Sequence, residues 1–199
     1  LTSKSKMQQM GVSSPISGVL TDAMRLHDGG EIQLRDRIHP KVEPEIAFIT
    51  NQDLRGEISR TNFLAACESV FPALEIIDSR FLNFDFTLAD VLADNCSSSG
   101  FVLGAKIFSP ASLPLDNLRM QMRINGKLVQ SGNSSAIYGH PVDSCIELIR
   151  HLSSTSLGFL PRGSIILAGG ATAAEAIREG DLVELDVDGL GRVSANVIH

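Results

Sequence analysis

The sequence predicts an α+β fold, a curved and mostly antiparallel sheet with flanking helices. Two hairpins and the way helices are interspersed predict it. "LRMQMRINGKLVQSG" alternates around Asn125-Gly126, the dipeptide that most readily supplies the positive φ angles of a two-residue hairpin turn. "LVELDVDGLGRVSANVI" reads as a second hairpin, turned by Asp188-Gly189-Leu190-Gly191. Helical patterns fall between the strands, yet hairpins outnumber strand-helix-strand units, which disfavours a doubly wound parallel sheet.

The remaining elements follow in chain order. A polar, glycine-containing lead-in runs through Gly29-Gly30, and a strand is predicted over 42–50. "SRTNFLAACESV" starts on a capping residue and spaces Phe63, Leu64, Cys67 and Val70 as a helix of about three turns would. "FPALEIIDSRF" returns as a buried strand, with Pro72 near its beginning, where a missing N–H does least harm. "GFVLG" is a further short strand. "HPVDSCIELIRHLSSTS" predicts a helix with Pro141 in its first turn and Ile146, Ile149 and Leu152 on one side.

With 199 residues, 43% of them hydrophobic, and a mean hydropathy of +0.12, the chain can bury a full core as one domain spanning 1–199. The net charge of −6 and the lack of any long Lys/Arg cluster exclude nucleic acid as an expected partner. Apolar runs are interrupted well before the ~20 residues that a bilayer-spanning helix needs, and "LTSKSKMQQM" lacks the apolar core of a signal peptide. No membrane is expected, and the cytoplasm is the expected location. Cys67, Cys96 and Cys145 are widely spaced and show no CxxC pairing, which argues for buried small residues over a disulfide framework or zinc site. The start at Leu1, on polar residues that read as the middle of a loop, suggests a chain lacking an upstream segment.

The chemistry begins at "KVEPEIAFI". In an extended strand, side chains at i and i+2 share a face about 6.5–7 Å apart, so Glu43 and Glu45 look at each other while Val42, Ile46 and Phe48 pack on the other side. Two readings fit: a solvated acidic edge, or a buried pair that holds a cation, since unpaired carboxylates in a low dielectric repel and take up protons. Glu75 in "ALEIIDSR" adds a third carboxylate, on the strand predicted to follow the helix. Three oxygen donors with no His or Cys nearby suit a hard octahedral ion, Mg²⁺ or Mn²⁺, with about three positions left for water or substrate.

"HPKVEPEIAF", "PALEIIDSRFLNFDF", "ADNCSSSGFVLG", "YGHP" and "LAGGATAAEAIREGD" together resemble the fumarylacetoacetate-hydrolase-related superfamily, in its branch of 2-keto-4-pentenoate hydratases and 4-oxalocrotonate decarboxylases. The resemblance runs the length of the chain. It implies the β-roll of the fumarylacetoacetate hydrolase C-terminal domain, and an acidic trio for Mg²⁺ or Mn²⁺ at Glu43, Glu45 and Glu75. It also implies a 2-oxo acid substrate conjugated to a double bond, for which the ion serves as Lewis acid and electron sink. Association is implied too, as a homo-oligomer or with a partner hydratase. Two departures stand out. Pro44 between the first two glutamates implies an edge or bulge. The family's catalytic lysine falls two positions before the "LTSK" segment, ahead of Leu1, and Lys4 and Lys6 do not match it and read as solvated loop lysines.

The trio and a divalent ion sum to −1, so a dianionic substrate needs cations or donors elsewhere. Arg80 is the candidate, with a structural ion pair to Asp78 or Asp85 as the other reading. The resemblance places substrate contacts at Asn95, Ser97 and Ser98, which also read as a polar turn, and Asp78 is a further candidate for substrate binding. Gly169-Gly170 ahead of "ATAAEA" can offer backbone N–H groups at a helix start to an anion, or make a simple turn. His140 is either a general base or a cap, and no G-x-S-x-G hydrolase motif is present. Hydratases of the family carry an aspartate after the proline of the "GV..P" segment, whereas "GVSSPISG" has Ile16 there, an apolar residue that excludes water. Decarboxylation of 4-oxalocrotonate is therefore expected, ahead of hydration of 2-hydroxypentadienoate and of a non-catalytic subunit that retains the fold.

Overall fold

The computed structural model of the chain describes Thr2, Met7 and residues 15–105, 108–110 and 113–199. Its strands are β1 (Arg25–Leu26), β2 (Gly30–Gln33), β3 (Lys41–Thr50), β4 (Cys67–Ile77), β5 (Ser98–Leu103), β6 (Arg119–Ile124), β7 (Lys127–Asn133), β8 (Ile165–Leu167), β9 (Glu175–Ala176), β10 (Leu182–Val187) and β11 (Gly191–Ile198). The helices are α1 (Arg60–Ala65), α2 (Leu88–Ala93) and α3 (Pro141–Ser153). Two mixed sheets replace the expected single curved one. The first runs β1-β5-β4-β3-β8, with β9 also on β3, and the second runs β2-β11-β10-β6-β7. Among the described residues parallel pairing is confined to β1 with β5 and β2 with β11, so the α+β class holds.

The main core lies between the sheets. Val42, Ile46 and Phe48 of β3 and Leu74 and Ile76 of β4 meet Met120, Met122, Leu185, Val193 and Val197 of the second sheet. A smaller cluster of Ala47, Phe71, Ala73, Phe101 and Leu103 covers the other face of the first sheet. The alternation along β3 therefore points one set of residues into the main core and puts Glu43 and Glu45 on the face of the smaller cluster.

The predicted hairpins form. Asn125 and Gly126 take φ of 54° and 77° between β6 and β7, and β10 returns as β11 with Val187 opposite Gly191. The predicted three-turn helix is shorter: α1 ends at Ala65, and Cys67, Ser69 and Val70 pair with Thr50, Ile49 and Phe48 as the start of β4. Cys67 and Val70 suit either period, and the ladder with β3 decides between them. The helix α2 was not predicted, although Thr87 and Asp90 form a capping box that announces it. On α3, Pro141 opens the helix as predicted, and Arg60 at the start of α1 donates two hydrogen bonds of 2.6 Å to Asp143.

Pro72 lies well inside β4, opposite Ile46, and Pro44 lies opposite Leu74 with no bulge at either position. Both oxygens turn away from the β3–β4 ladder: Pro44 O accepts from Ala171 N at 3.0 Å, and Pro72 O from Gly104 N at 2.9 Å. Within a strand residue N and O point the same way, so neither proline removes a bond from that ladder. Pro44 does sit at a local edge, as its sequence implied, because β8 pairs with residues 47–49 and β9 with residues 41–42, leaving an interval between them.

Candidate metal and substrate site

Glu43 stands directly opposite Glu75 in the antiparallel ladder, and Glu45 is one same-face step along, opposite Ala73. One carboxylate oxygen from each of the three lies within 4.8 Å of the others. Glu43 is 7% exposed and Glu45 1%, which rules out the solvated acidic edge. Burial, then the charges of Glu75 and Glu43, push the Glu45 carboxyl well above the usual range. Glu75 keeps a little surface, yet burial first and Glu43 second raise it as well. Glu45 and Glu75 are close enough to perturb each other, as carboxylates do that crowd one site without a positive charge between them.

The segment 168–174 closes over this cluster across the interval between β8 and β9. Ala168 N donates to Ile46 O at 2.9 Å, and Ser144 Oγ of α3 donates to Ala168 O at 2.8 Å, so a strand and a helix fix its entry. Gly169 N then donates to Glu45 Oε2 at 2.7 Å. A Cβ on Gly170 would stand 2.2 Å from Glu43 Oε2, and one on Gly169, at φ 117°, would stand 1.8 Å from Thr2 Oγ1. Gly170 thus makes room for Glu43, while Gly169 makes room for Thr2 and orients Glu45 through its N–H. The predicted helix start after them is replaced by bends leading into β9, so no helix N-terminus faces an anion here.

Residues 94–98 form the adjoining corner. Asp94, buried, accepts from Ser79 Oγ at 3.0 Å, Ser97 Oγ at 2.7 Å and Arg80 N at 3.3 Å. It also pairs with Arg80 Nε, while Arg80 Nη2 donates to the Asp94 carbonyl. The Arg80 side chain, 52% exposed, therefore has Asp94 as its structural partner instead of Asp78 or Asp85. Asp78 accepts from Ile38 N and His39 N at 2.9 Å each and so organises the turn before β3. Asn95 clamps the backbone of Val19, accepting from its N at 2.7 Å and donating to its O at 2.9 Å, which ties down the segment that carries Ile16. Ser98 is buried close enough to Glu75 to lower its pKa, although its hydroxyl makes no fully formed hydrogen bond. Ile16 is half-buried. His140 caps α3, its Nδ1 accepting from Val142 N at 3.1 Å, and burial lowers its pKa. Cys67 and Cys145 are buried as expected, Cys96 partly, and Lys4 and Lys6 lie outside the described residues.

Sequence reasoning missed Asp94 as the hub of this corner. Its signal was the run of small polar residues after it, read for its own donors and not for what they hold.

The fumarylacetoacetate (FAA) hydrolase C-terminal family matches residues 4–198. A 4-oxalocrotonate decarboxylase from Pseudomonas sp. is 47% identical over 97% of this chain and 74% of its own length. A 2-hydroxyhexa-2,4-dienoate hydratase from Comamonas testosteroni is 36% identical over 98% of this chain and 74% of its own. Among solved structures, 4-oxalocrotonate decarboxylase from Pseudomonas putida G7, complexed with magnesium and adipate, superposes with a TM-score of 0.95 at 39% identity, covering 99% of this chain and 75% of that one. A second structure of that enzyme, complexed with calcium and acetate, gives 0.93 at 38% identity, covering 99% of this chain and 74% of that one. By sequence over nearly its whole length and by fold, the chain belongs to the fumarylacetoacetate hydrolase C-terminal family.

Proposed function

We propose that this protein is a lyase that decarboxylates 4-oxalocrotonate (2-oxo-3-hexenedioate) to 2-hydroxypenta-2,4-dienoate with a divalent metal, Mg²⁺ or Mn²⁺, in the meta-cleavage breakdown of aromatic compounds. The observation that carries it is the buried trio Glu43, Glu45 and Glu75 on facing strands, in a chain whose relatives include 4-oxalocrotonate decarboxylases at higher identity than hydratases. The site fits such an ion: all three donors are carboxylate oxygens, their mutual repulsion calls for a cation, and Gly170 leaves the space a Cβ would take. When bound, the ion supplies Lewis-acid polarisation of the 2-oxo group.

The chain's own residues do the rest. Glu43, Glu45 and Glu75 hold the ion, and Gly169 N fixes the orientation of Glu45. During reaction the C5–C6 bond breaks and its electron pair passes through the conjugated chain to the 2-oxo oxygen, which takes up a proton as CO₂ leaves. Ser98 lies beside Glu75 as a donor to the substrate end held there. Asp94 holds Ser97 and Arg80 in one corner, and Arg80 Nη1, engaged by no described residue, is left to meet a substrate carboxylate. Asn95 and Asp78 position the surrounding backbone, and Ile16 keeps water from the conjugated system. Among the described residues no helix is long and apolar enough to cross a membrane, and a cytoplasmic location belongs to the same reading. So does self-association, alone or with a partner hydratase; the half-buried Ile49, Ile165 and Leu167 beside the smaller apolar cluster favour a second copy, which sedimentation would detect.

Parallel measurement of CO₂ release from 2-oxo-3-hexenedioate and of 4-hydroxy-2-oxopentanoate formation from 2-hydroxypenta-2,4-dienoate tests the assignment. Rapid CO₂ release with slow hydration is expected, and rapid hydration without CO₂ would make the protein a hydratase. Ile16→Asp adds a like charge, and at an effective dielectric of about 20 each charge it meets at about 6 Å costs about 2–3 kcal/mol, so binding of the dianionic substrate should suffer more than that of the dienoate.

A further inference from the structure

A cleft of about 490 Å³ opens at the start of β3, lined by Arg37, His39, Lys41, Phe84, Arg178 and Glu179 among others. We propose that it is the subsite for a second carboxylate, the one at the far end of a six-carbon dianion whose other end lies at the glutamate trio; this rests on the function proposed above.

Position supports it first. Lys41 is two residues before Glu43 on the same strand, so the two side chains leave the same face about 6.5–7 Å apart. Ala176 of β9 pairs with Lys41, and the chain that lays Gly169 and Gly170 on the glutamates continues through β9 into the cleft wall at 177–179. One strand and one returning segment therefore line both places.

Charge supports it next. Three permanent cations, Arg37, Lys41 and Arg178, line the cleft with one carboxylate, Glu179; Asp36 and Asp78 lie near enough to Arg37 to offset its charge, so Lys41 and Arg178 are the cations left to a ligand. Among the described residues neither Lys41 nor Arg178 makes an ion pair. The Lys41 ammonium sits 4.3 Å from the centroid of Phe84, and a ring face steadies a cation without using its N–H donors. Phe84 is itself packed on His39 at 5.0 Å between ring centroids. Arg37 Nη1 is spent on Ser99, but among the described residues the buried Arg37 Nε and His39 Nε2 have no hydrogen-bond partner, so some polar capacity is left along the same wall. Arg80, by contrast, is already partly neutralised by Asp94.

The test is binding, not turnover: titration of the Mg²⁺-loaded protein with adipate, a six-carbon dianion, and with hexanoate, the monoanion of the same length. Adipate should bind at least tenfold tighter than hexanoate. Lys41→Met keeps the length and the packing on Phe84 while removing the charge, and should bring adipate down to the hexanoate level with Mg²⁺ and oxalate affinities unchanged. Equal binding of the two acids by the parent, or undiminished adipate binding by Lys41→Met, overturns the subsite. Should Lys41→Met also lose Mg²⁺, the exposed Arg178→Gln is judged by the same criterion, a loss of at least threefold in adipate affinity alone. Because no turnover is read, a protein that releases no CO₂ can still pass, and one that releases CO₂ can still fail.

Discussion

Gly170 leaves no room for a side chain beside the trio. Its constraint is space and not backbone conformation, since a methyl group there would meet Glu43 Oε2 at 2.2 Å. Gly170→Ala is expected to displace that carboxylate, cost about 1–3 kcal/mol in stability through overpacking, and weaken Mn²⁺ binding at least tenfold by isothermal titration. Glu75→Gln removes the charge of a proposed ligand while keeping the shape, so Mn²⁺ binding should be lost with the fold intact; a variant that binds as tightly as the parent would remove Glu75 from the site. The trio was legible in the sequence because period-two alternation puts Glu43 and Glu45 on one face, and a strand partner brings Glu75 opposite. The glycine pair announced a backbone N–H offered to an anion, but not that the acceptor is Glu45, because that carboxylate is 124 residues away and nothing local reports the contact.

Among elements, the corner 94–98 is the most demanding. Asn95, Cys96 and Ser97 take positive φ of 53°, 56° and 60° in succession, a conformation that side chains other than glycine seldom adopt, and the Asp94 hydrogen bonds hold it. Burial pushes the Asp94 carboxyl up, but Ser97, Ser79 and Arg80 more than reverse this, leaving it below its usual 3.8. A depressed carboxylate contributes stability that is complete above the unfolded-state value and is lost as pH falls through the folded one. Thermal melts of the parent should therefore drop as pH falls below about 3.8 toward the lowered value, and Asp94→Asn should flatten that part of the profile. At neutral pH the same variant should cost about 1–3 kcal/mol, because buried donors lose their acceptor. Small polar residues announced a turn here but not its strain, since the same letters make relaxed turns elsewhere. At residues 59–70, likewise, Cys67 and Val70 fit helix and strand alike, and only pairing with Thr50 and Phe48 chose the strand.

At the scale of the whole molecule, two sheets share one core, and Phe63 on α1 reaches it, fully buried, with its ring 5.3 Å edge-on from Phe48 of β3. Phe63→Ala should cost about 3–5 kcal/mol by denaturant unfolding while divalent-ion affinity persists, because the glutamates use the opposite face of β3. Hairpin signals made the antiparallel character legible. The division into two sheets was not, because it depends on which strands meet across long connections. Pro44 bears on what this architecture permits. Interior strands ordinarily spend both rows of their backbone groups on neighbours, whereas β3 carries an aperture between β8 and β9, roofed by a loop and marked by a residue that has no N–H to offer a closing strand. Exchanging that roof can retune the chemistry beneath it while the sheet around it stays as it is, so one scaffold can serve a succession of reactions by altering a few consecutive residues.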